Sequence, residues 1–208
     1  MGKSTAANFY RRAHIPVFDA DATVHQLQSP HGRAMPALRQ AFPTAVTPQG
    51  LDRNTLRQLV FSDPAQLSRL EAIIHPLVRA AEHAFLARAR RAGAPICVLD
   101  IPLLFETGAD RRVDLIVTMS APPSVQLHRI RTQRHLREDD IKAILKRQFP
   151  DQTRRARADL VVRNGLSRYN ALKTLKRHLA LLRTESQSCA PSSSIPKRRG
   201  LIRSLAIA

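Results

Sequence analysis

Four short apolar runs, rich in β-branched residues and separated by helical patterns, restrict this chain to a layered α/β architecture. The runs are 15–18 (IPVF), 96–99 (ICVL), 115–118 (LIVT) and 160–162 (LVV). Segments this short, apolar throughout and bounded by turn or polar residues, suit parallel strands covered on both faces. Pro16 lacks an amide hydrogen, which fits an edge strand or a strand start. Helical patterns are read over 4–12, 52–61, 64–74, 77–91, 122–131, 138–149 and 167–183. Asp52 and Asp63-Pro64 suit helix starts, and His75-Pro76 is expected to interrupt one, because proline disfavours helix at the residue before it. The helical stretch between the first two runs is too long for a simple crossover. It is read as an inserted helical subdomain over about 23–92.

Composition narrows the function classes. No apolar run approaches the roughly 18 residues that a membrane span needs, and the first residues lack the apolar core of a secretory signal. Cys97 in an apolar run and Cys189 in a polar stretch do not form a disulfide framework, so a reducing, cytoplasmic setting is the simpler expectation. The net charge of +18 favours anionic partners, whether nucleic acid, acidic lipid or a small molecule carrying several phosphates. The basic residues are scattered through helices, so charge alone does not choose among these. From Thr184 onward the composition turns to Ser, Pro, Lys and Arg, and 184–208 is expected to be a disordered tail.

Gly2-Lys3-Ser4-Thr5 ahead of a helix is the second half of a phosphate-binding loop of the form G-x-x-x-x-G-K-[ST]. In such a loop glycine lets backbone amides approach phosphates, lysine reaches the terminal phosphates and the hydroxyl holds Mg²⁺. The helix N-terminus adds its positive end. Alone, this half motif is weak, and an ordinary N-terminal tripeptide is the plainer reading.

Further acids and bases follow at strand ends. Asp19 and Asp21 are two apart, which on an extended chain points both carboxylates the same way. One could be a base for a hydroxyl nucleophile and the other could orient it; alternatively, either one caps the next helix. Asp100 closes the second run, as does the metal-orienting acid of phosphate-loop enzymes. Pro102, Leu103 and Phe105 form an apolar wall beyond it, ending in Glu106. Arg131, Arg134 and Arg147 lie in a candidate lid over about 128–150, where arginines could neutralise phosphate charge.

Taken together, GKST, IPVFDAD, LDRNTLRQLVFSDPAQLSRLEAIIHPLV, VLDIPLLFE, ILKRQFPD and ADLVV, in this order, resemble the dephospho-CoA kinases over residues 1–183. The resemblance implies a P-loop NTPase-type parallel sheet flanked by helices, with an inserted helical CoA subdomain and a lid. It implies transfer of the ATP γ-phosphoryl group to the ribose 3′-hydroxyl of dephospho-CoA, with Mg²⁺. By residue, it implies Gly2, Lys3, Ser4 and Thr5 on the ATP phosphates, and Ser4 and Asp100 at the metal. Asp21 is implied as general base with Asp19 beside it. Asp21, His75, Asp100, Pro102, Leu103 and Phe105 are implied toward the acceptor, and Arg131 or Arg134, less strongly Arg147, over the nucleotide.

Members of the family open with a strand that enters a complete glycine-rich loop and takes the central place in a 2-3-1-4-5 order. That strand and half the loop are absent before Gly2, so the central strand is expected to be missing. A start assigned about ten residues late, and little activity for so truncated a chain, are the matching expectations. Two rivals are kept: another P-loop small-molecule kinase, and an inactive basic nucleic-acid-binding protein suggested by the charge and by Lys197-Arg198-Arg199. The low aromatic content of 4% disfavours the second.

Overall fold

The apolar runs form strands, and each is placed by what it can bury. The structure, a computed structural model, describes residues 2–122, 124–125, 149–165, 167–188 and 203–208. Its described helices are α1 (Lys3–Arg12), α2 (Ala20–Leu27), α3 (Met35–Ala41), α4 (Arg53–Ser62), α5 (Pro64–Arg91), α6 (Asp151–Ala156) and α7 (Arg168–Ser188). The strands are β1 (Val17–Asp19), β2 (Val46–Thr47), β3 (Gly50–Leu51), β4 (Ile96–Asp100), β5 (Leu115–Ser120), β6 (Leu160–Arg163) and β7 (Arg203–Ile207). The chain divides into one unit of Met1–Phe18 with Ala89–Ala208, and a second of Asp19–Arg88.

The first unit is built on a five-stranded sheet in the order β1-β4-β7-β5-β6. β7 pairs in parallel with β4 on one side and β5 on the other, and β5 pairs in parallel with β6. β1 is an edge strand, as Pro16 requires; the Pro16 carbonyl still accepts from the Val98 amide at 2.9 Å. All five residues of β4 are buried, which explains why its sequence is apolar up to Asp100. One layer of core joins Ala6, Ala7 and Tyr10 of α1 to Val98, Val117, Val162, Leu205 and Ile207 of the sheet and to Leu175 and Leu179 of α7. Burial pushes the Tyr10 phenol well above its ordinary range, so it stays neutral.

The occupancy of the central position corrects the sequence reading. That place, expected to be missing a strand, is filled by Arg203–Ile207. The same observation corrects the expected disordered tail at both of its ends, since α7 continues to Ser188 and 203–207 is a buried strand. The physical reason is the partly apolar stretch at 201–207 (LIRSLAI), which supplies Leu205, Ala206 and Ile207, each 0% exposed, to a slot that needs a segment apolar on both faces.

The second unit packs α2 to α5 and the β2–β3 hairpin around Leu38, Phe42, Leu56 and Ile74. Asp52 caps α4, accepting from the amides of Asn54 at 2.9 Å and Thr55 at 3.2 Å. These bonds, with the Thr55 hydroxyl foremost, hold its carboxyl below the usual range. Pro76 does not interrupt the helix: α5 runs unbroken for 28 residues with Pro76 inside it. Proline here costs one backbone bond, and the apolar stripe on either side (Leu70, Ile73, Ile74, Leu77, Val78) outweighs that loss by packing on the unit's core.

His178 of α7 gives a pH test of the first unit. Burial lowers its pKa from 6.5, against opposing raises from Glu185 and Asp159. The folded value lies below the unfolded one, so protonation opposes folding. Its contribution is fully present above 6.5 and is lost as the pH falls towards the depressed value. Melting temperature across pH 7 to 5 should therefore fall more steeply for the native chain than for His178→Gln. Parallel curves would remove His178 from the account.

Candidate active site

The carboxyl ends of parallel strands are where α/β sheets bind ligands, and this edge carries three of the first unit's buried polar residues. β4 ends at Asp100, β5 at Ser120, and Asn164 follows β6; all three are buried. Gly2 sits at the N-terminus of α1 with φ +94, in the left-handed region that glycine adopts without strain. A Cβ there would run into the Asn164 side-chain amide, so the position also needs glycine for closeness. The first backbone bond of α1 is Ala6 N–H to the Gly2 carbonyl at 3.1 Å. The amides of Lys3, Ser4 and Thr5 thus belong to the set that a helix cannot satisfy internally, and no acid occupies the first turn. Such an end attracts anions.

Lys3 turns from this helix start to Asp100, with Nζ 3.0 Å from Oδ1. The lysine side chain is 25% exposed and the aspartate side chain 9%. A cation is thereby held beside the anion-attracting turn while remaining reachable from solvent. Beyond β4 the chain turns through Pro102 to Thr107. Leu103 adopts a positive φ of 52 and is exposed, Pro102 is half-buried, and Phe105 is 4% exposed. Thr107 closes this turn, its hydroxyl donating to the Leu103 carbonyl at 2.9 Å. The Arg157 guanidinium lies 5.5 Å from the Phe105 ring centre and 5.8 Å from that of Phe149. Glu106 accepts from the Phe149 amide at 2.6 Å, tying the turn to the last residues of the candidate lid.

The structure brings Gly2, Lys3 and Asp100 together, with Ser4 and Thr5 on the same helix turn. Asp19 and Asp21 are arranged differently from the alternation argument. The strand stops at Asp19, whose carboxylate caps α2 by accepting from the Ala22 amide at 2.9 Å, and Asp21 is an exposed residue of the first helical turn. The shared direction of residues two apart on a strand does not apply, because helix begins between them. His75 is exposed on α5 of the second unit. Arg131, Arg134 and Arg147 lie outside the described residues.

Sequence reasoning missed Asn164 and the Ser120–Asp151–Arg154 chain. The Ser120 hydroxyl donates to Asp151 at 2.7 Å, and Arg154 pairs with Asp151 at 3.1 Å. The signal available for Asn164 was its place in Asn164-Gly165, a turn dipeptide directly after a strand. Among the described residues no cluster of three or more His, Cys, Asp or Glu could hold a metal by itself. The Asp100 carboxylate and the Ser4 hydroxyl, which follows Lys3 in the chain, are oxygen donors of the type that suits Mg²⁺ completed by substrate phosphates and water.

A parallel sheet with a lysine-bearing anion turn at its carboxyl edge, facing a strand-end aspartate, defines a P-loop-type phosphotransferase. The chain belongs to the dephospho-CoA kinase family, whose model matches residues 1–168. It is 47% identical over 189 residues to the dephospho-CoA kinase of Gluconobacter oxydans, covering 89% of this chain and 94% of that one. It is 48% identical over 165 residues to that of Mesorhizobium japonicum, covering 79% and 83%. Among solved structures it is similar to TT1252 from Thermus thermophilus, with a TM-score of 0.76 and 36% identity over 87% of this chain and 92% of that one. The Campylobacter jejuni dephospho-CoA kinase shares the fold at a TM-score of 0.65 and 21% identity, covering 90% and 93%. Among the described residues no helix is long and apolar enough to cross a membrane.

The Lys3–Asp100 pair can be tested by a double-mutant cycle. Lys3→Met removes a cation from beside a mostly buried carboxylate and should cost about 1–3 kcal/mol in urea unfolding. Lys3→Met combined with Asp100→Asn should cost less than the sum of the two singles. Additive losses would mean that the two side chains do not interact.

Proposed function

We infer that this chain transfers the γ-phosphoryl group of ATP to the ribose 3′-hydroxyl of dephospho-CoA, giving coenzyme A and ADP. The observation that carries this reading is the Lys3–Asp100 pair at the N-terminus of α1, in a chain whose family members are dephospho-CoA kinases. Phosphoryl transfer asks little covalent chemistry of a protein; it asks for positioning and charge neutralisation. The amides of Lys3, Ser4 and Thr5 bind the triphosphate, and Gly2 permits their close approach. The Lys3 ammonium moves from Asp100 to a terminal phosphate oxygen. Mg²⁺, when bound through Ser4 and Asp100, neutralises phosphate charge. The charge of the nucleotide is assigned to Arg131 or Arg134, less strongly to Arg147.

Asp21 takes the proton of the 3′-hydroxyl as the new O–P bond forms and the β–γ bridge bond breaks, leaving ADP with the bridging oxygen. Asp19, engaged as the cap of α2, holds the start of that helix and so the direction in which Asp21 projects. His75, on the helical second unit, is the candidate contact for the acceptor's CoA portion, and Pro102, Leu103 and Phe105 are the first unit's own candidates for acceptor contact. A preference for a multiply charged phosphate ester agrees with a net charge of +18.

An acceptor screen with ATP and Mg²⁺ checks this assignment. Dephospho-CoA should be phosphorylated and nucleoside monophosphates should not. Turnover of a monophosphate alone would favour a different small-molecule kinase, and steeply salt-dependent nucleic-acid binding without turnover would favour a basic binding protein. Asp21→Asn should lower kcat by about 10²–10⁴-fold with the KM for ATP little changed, since a base acts on the acceptor. A variant with unaltered kcat would remove Asp21 from the mechanism.

A further inference from the structure

The central strand comes from the segment that follows every other described element in the chain, and it fills a slot whose two walls do not touch each other. β4 and β5 each pair with β7 and not with one another. Ile96 to Asp100 face Arg203 to Ile207 in register, and Leu115 to Val117 face Leu205 to Ile207. With the slot empty, the amides and carbonyls of both walls would lack strand partners in the middle of the sheet, where few alternatives exist.

The slot is selective as well as apolar. Asp114, just before β5, holds the entry of the strand: its carboxylate accepts from the Ser204 amide at 2.7 Å and from the Ser204 hydroxyl at 2.8 Å. The Asp114 amide in turn donates to the Ser204 carbonyl at 3.0 Å. Arg203 pairs with Glu185 near the end of α7, fixing the entry from outside. At the far end Ala208 donates to the Val117 carbonyl at 2.9 Å and accepts from Met119 at 3.1 Å. The Met119 side chain reaches the spot where a Cβ on Gly2 would lie. Leu205 and Ile207 share their buried cluster with Ala6, Ala7 and Tyr10 of α1.

We propose that the slot between β4 and β5 is a receptor for an extended segment, that this chain fills it with its own residues 203–207, and that filling it seats α1. The tail is then a positioning segment for the turn that carries Lys3. The occupant is the chain's own segment and not a second copy's. Only 14 residues of sequence separate Ser188 from Arg203, so the pairing is an event within one chain, which linkage favours over the same strand from a second copy.

Cys97 of β4 is the register partner of Ser204, so the full chain offers a direct test. In a Cys189→Ser background, Ser204→Cys should form a disulfide with Cys97 under mild oxidation, and peptide mapping should find it within one chain. Separately, Ala206→Pro removes a ladder amide from a central strand. It should speed hydrogen exchange of the α1 amides at least about tenfold while leaving α4 and α5 of the second unit unchanged. Failure to link, a link joining two chains, or α1 protection unaltered by Ala206→Pro would each overturn the proposal. None of these readouts uses nucleotide turnover, so they stand or fall apart from the kinase assignment.

Discussion

The interaction on which the structure depends is the two-sided parallel pairing of residues 203–207. A central strand satisfies backbone groups on both neighbours at once, and β4 and β5 have no other described strand between them. Each buried backbone group left without a partner costs about 1–3 kcal/mol, against a total stability of about 5–15 kcal/mol for a typical domain. A sheet of this order without an occupant in the middle would therefore be in deficit before its side chains were considered. Leu205, Ala206 and Ile207, all fully buried, add apolar area on both faces of the sheet.

The candidate site inherits its geometry from that strand. α1 lies on the sheet through Ala6, Ala7 and Tyr10, and two of the residues beneath it belong to β7. Lys3 at the start of α1 reaches Asp100 because β4 and α1 are both registered against the same central element. Gly2 completes the arrangement by letting the backbone pass Asn164, which the end of β6 supplies. The polar edge is thus assembled from strand ends far apart in sequence, each held by a pairing partner.

What was legible in the sequence was local. The four apolar runs announced β1, β4, β5 and β6, since a strand buried on both faces has little choice of residue. Gly2-Lys3-Ser4-Thr5 and Asp100 were legible as a phosphate turn and a strand-end acid, and the order of the longer motifs pointed to the family. β7 was not, because its apolar core is three residues long and sits among Ser, Pro and Arg; only the vacancy between β4 and β5 gives it meaning. The continuity of α5 through Pro76 was hidden for the same kind of reason, since packing on the second unit's core overrides a local preference. Asp19 and Asp21 were found but misdirected, because the strand-to-helix boundary falls between them and changes the rule that sets side-chain direction.

The most direct measurement is a crystal structure of the full chain grown with Mg²⁺ and a non-hydrolysable ATP analogue. The expected result places the triphosphate on the amides of Lys3 to Thr5, with the Lys3 ammonium on a phosphate oxygen and Arg203–Ile207 between β4 and β5. A nucleotide bound away from the start of α1, or a sheet whose middle position is empty or held by another segment, would contradict the account.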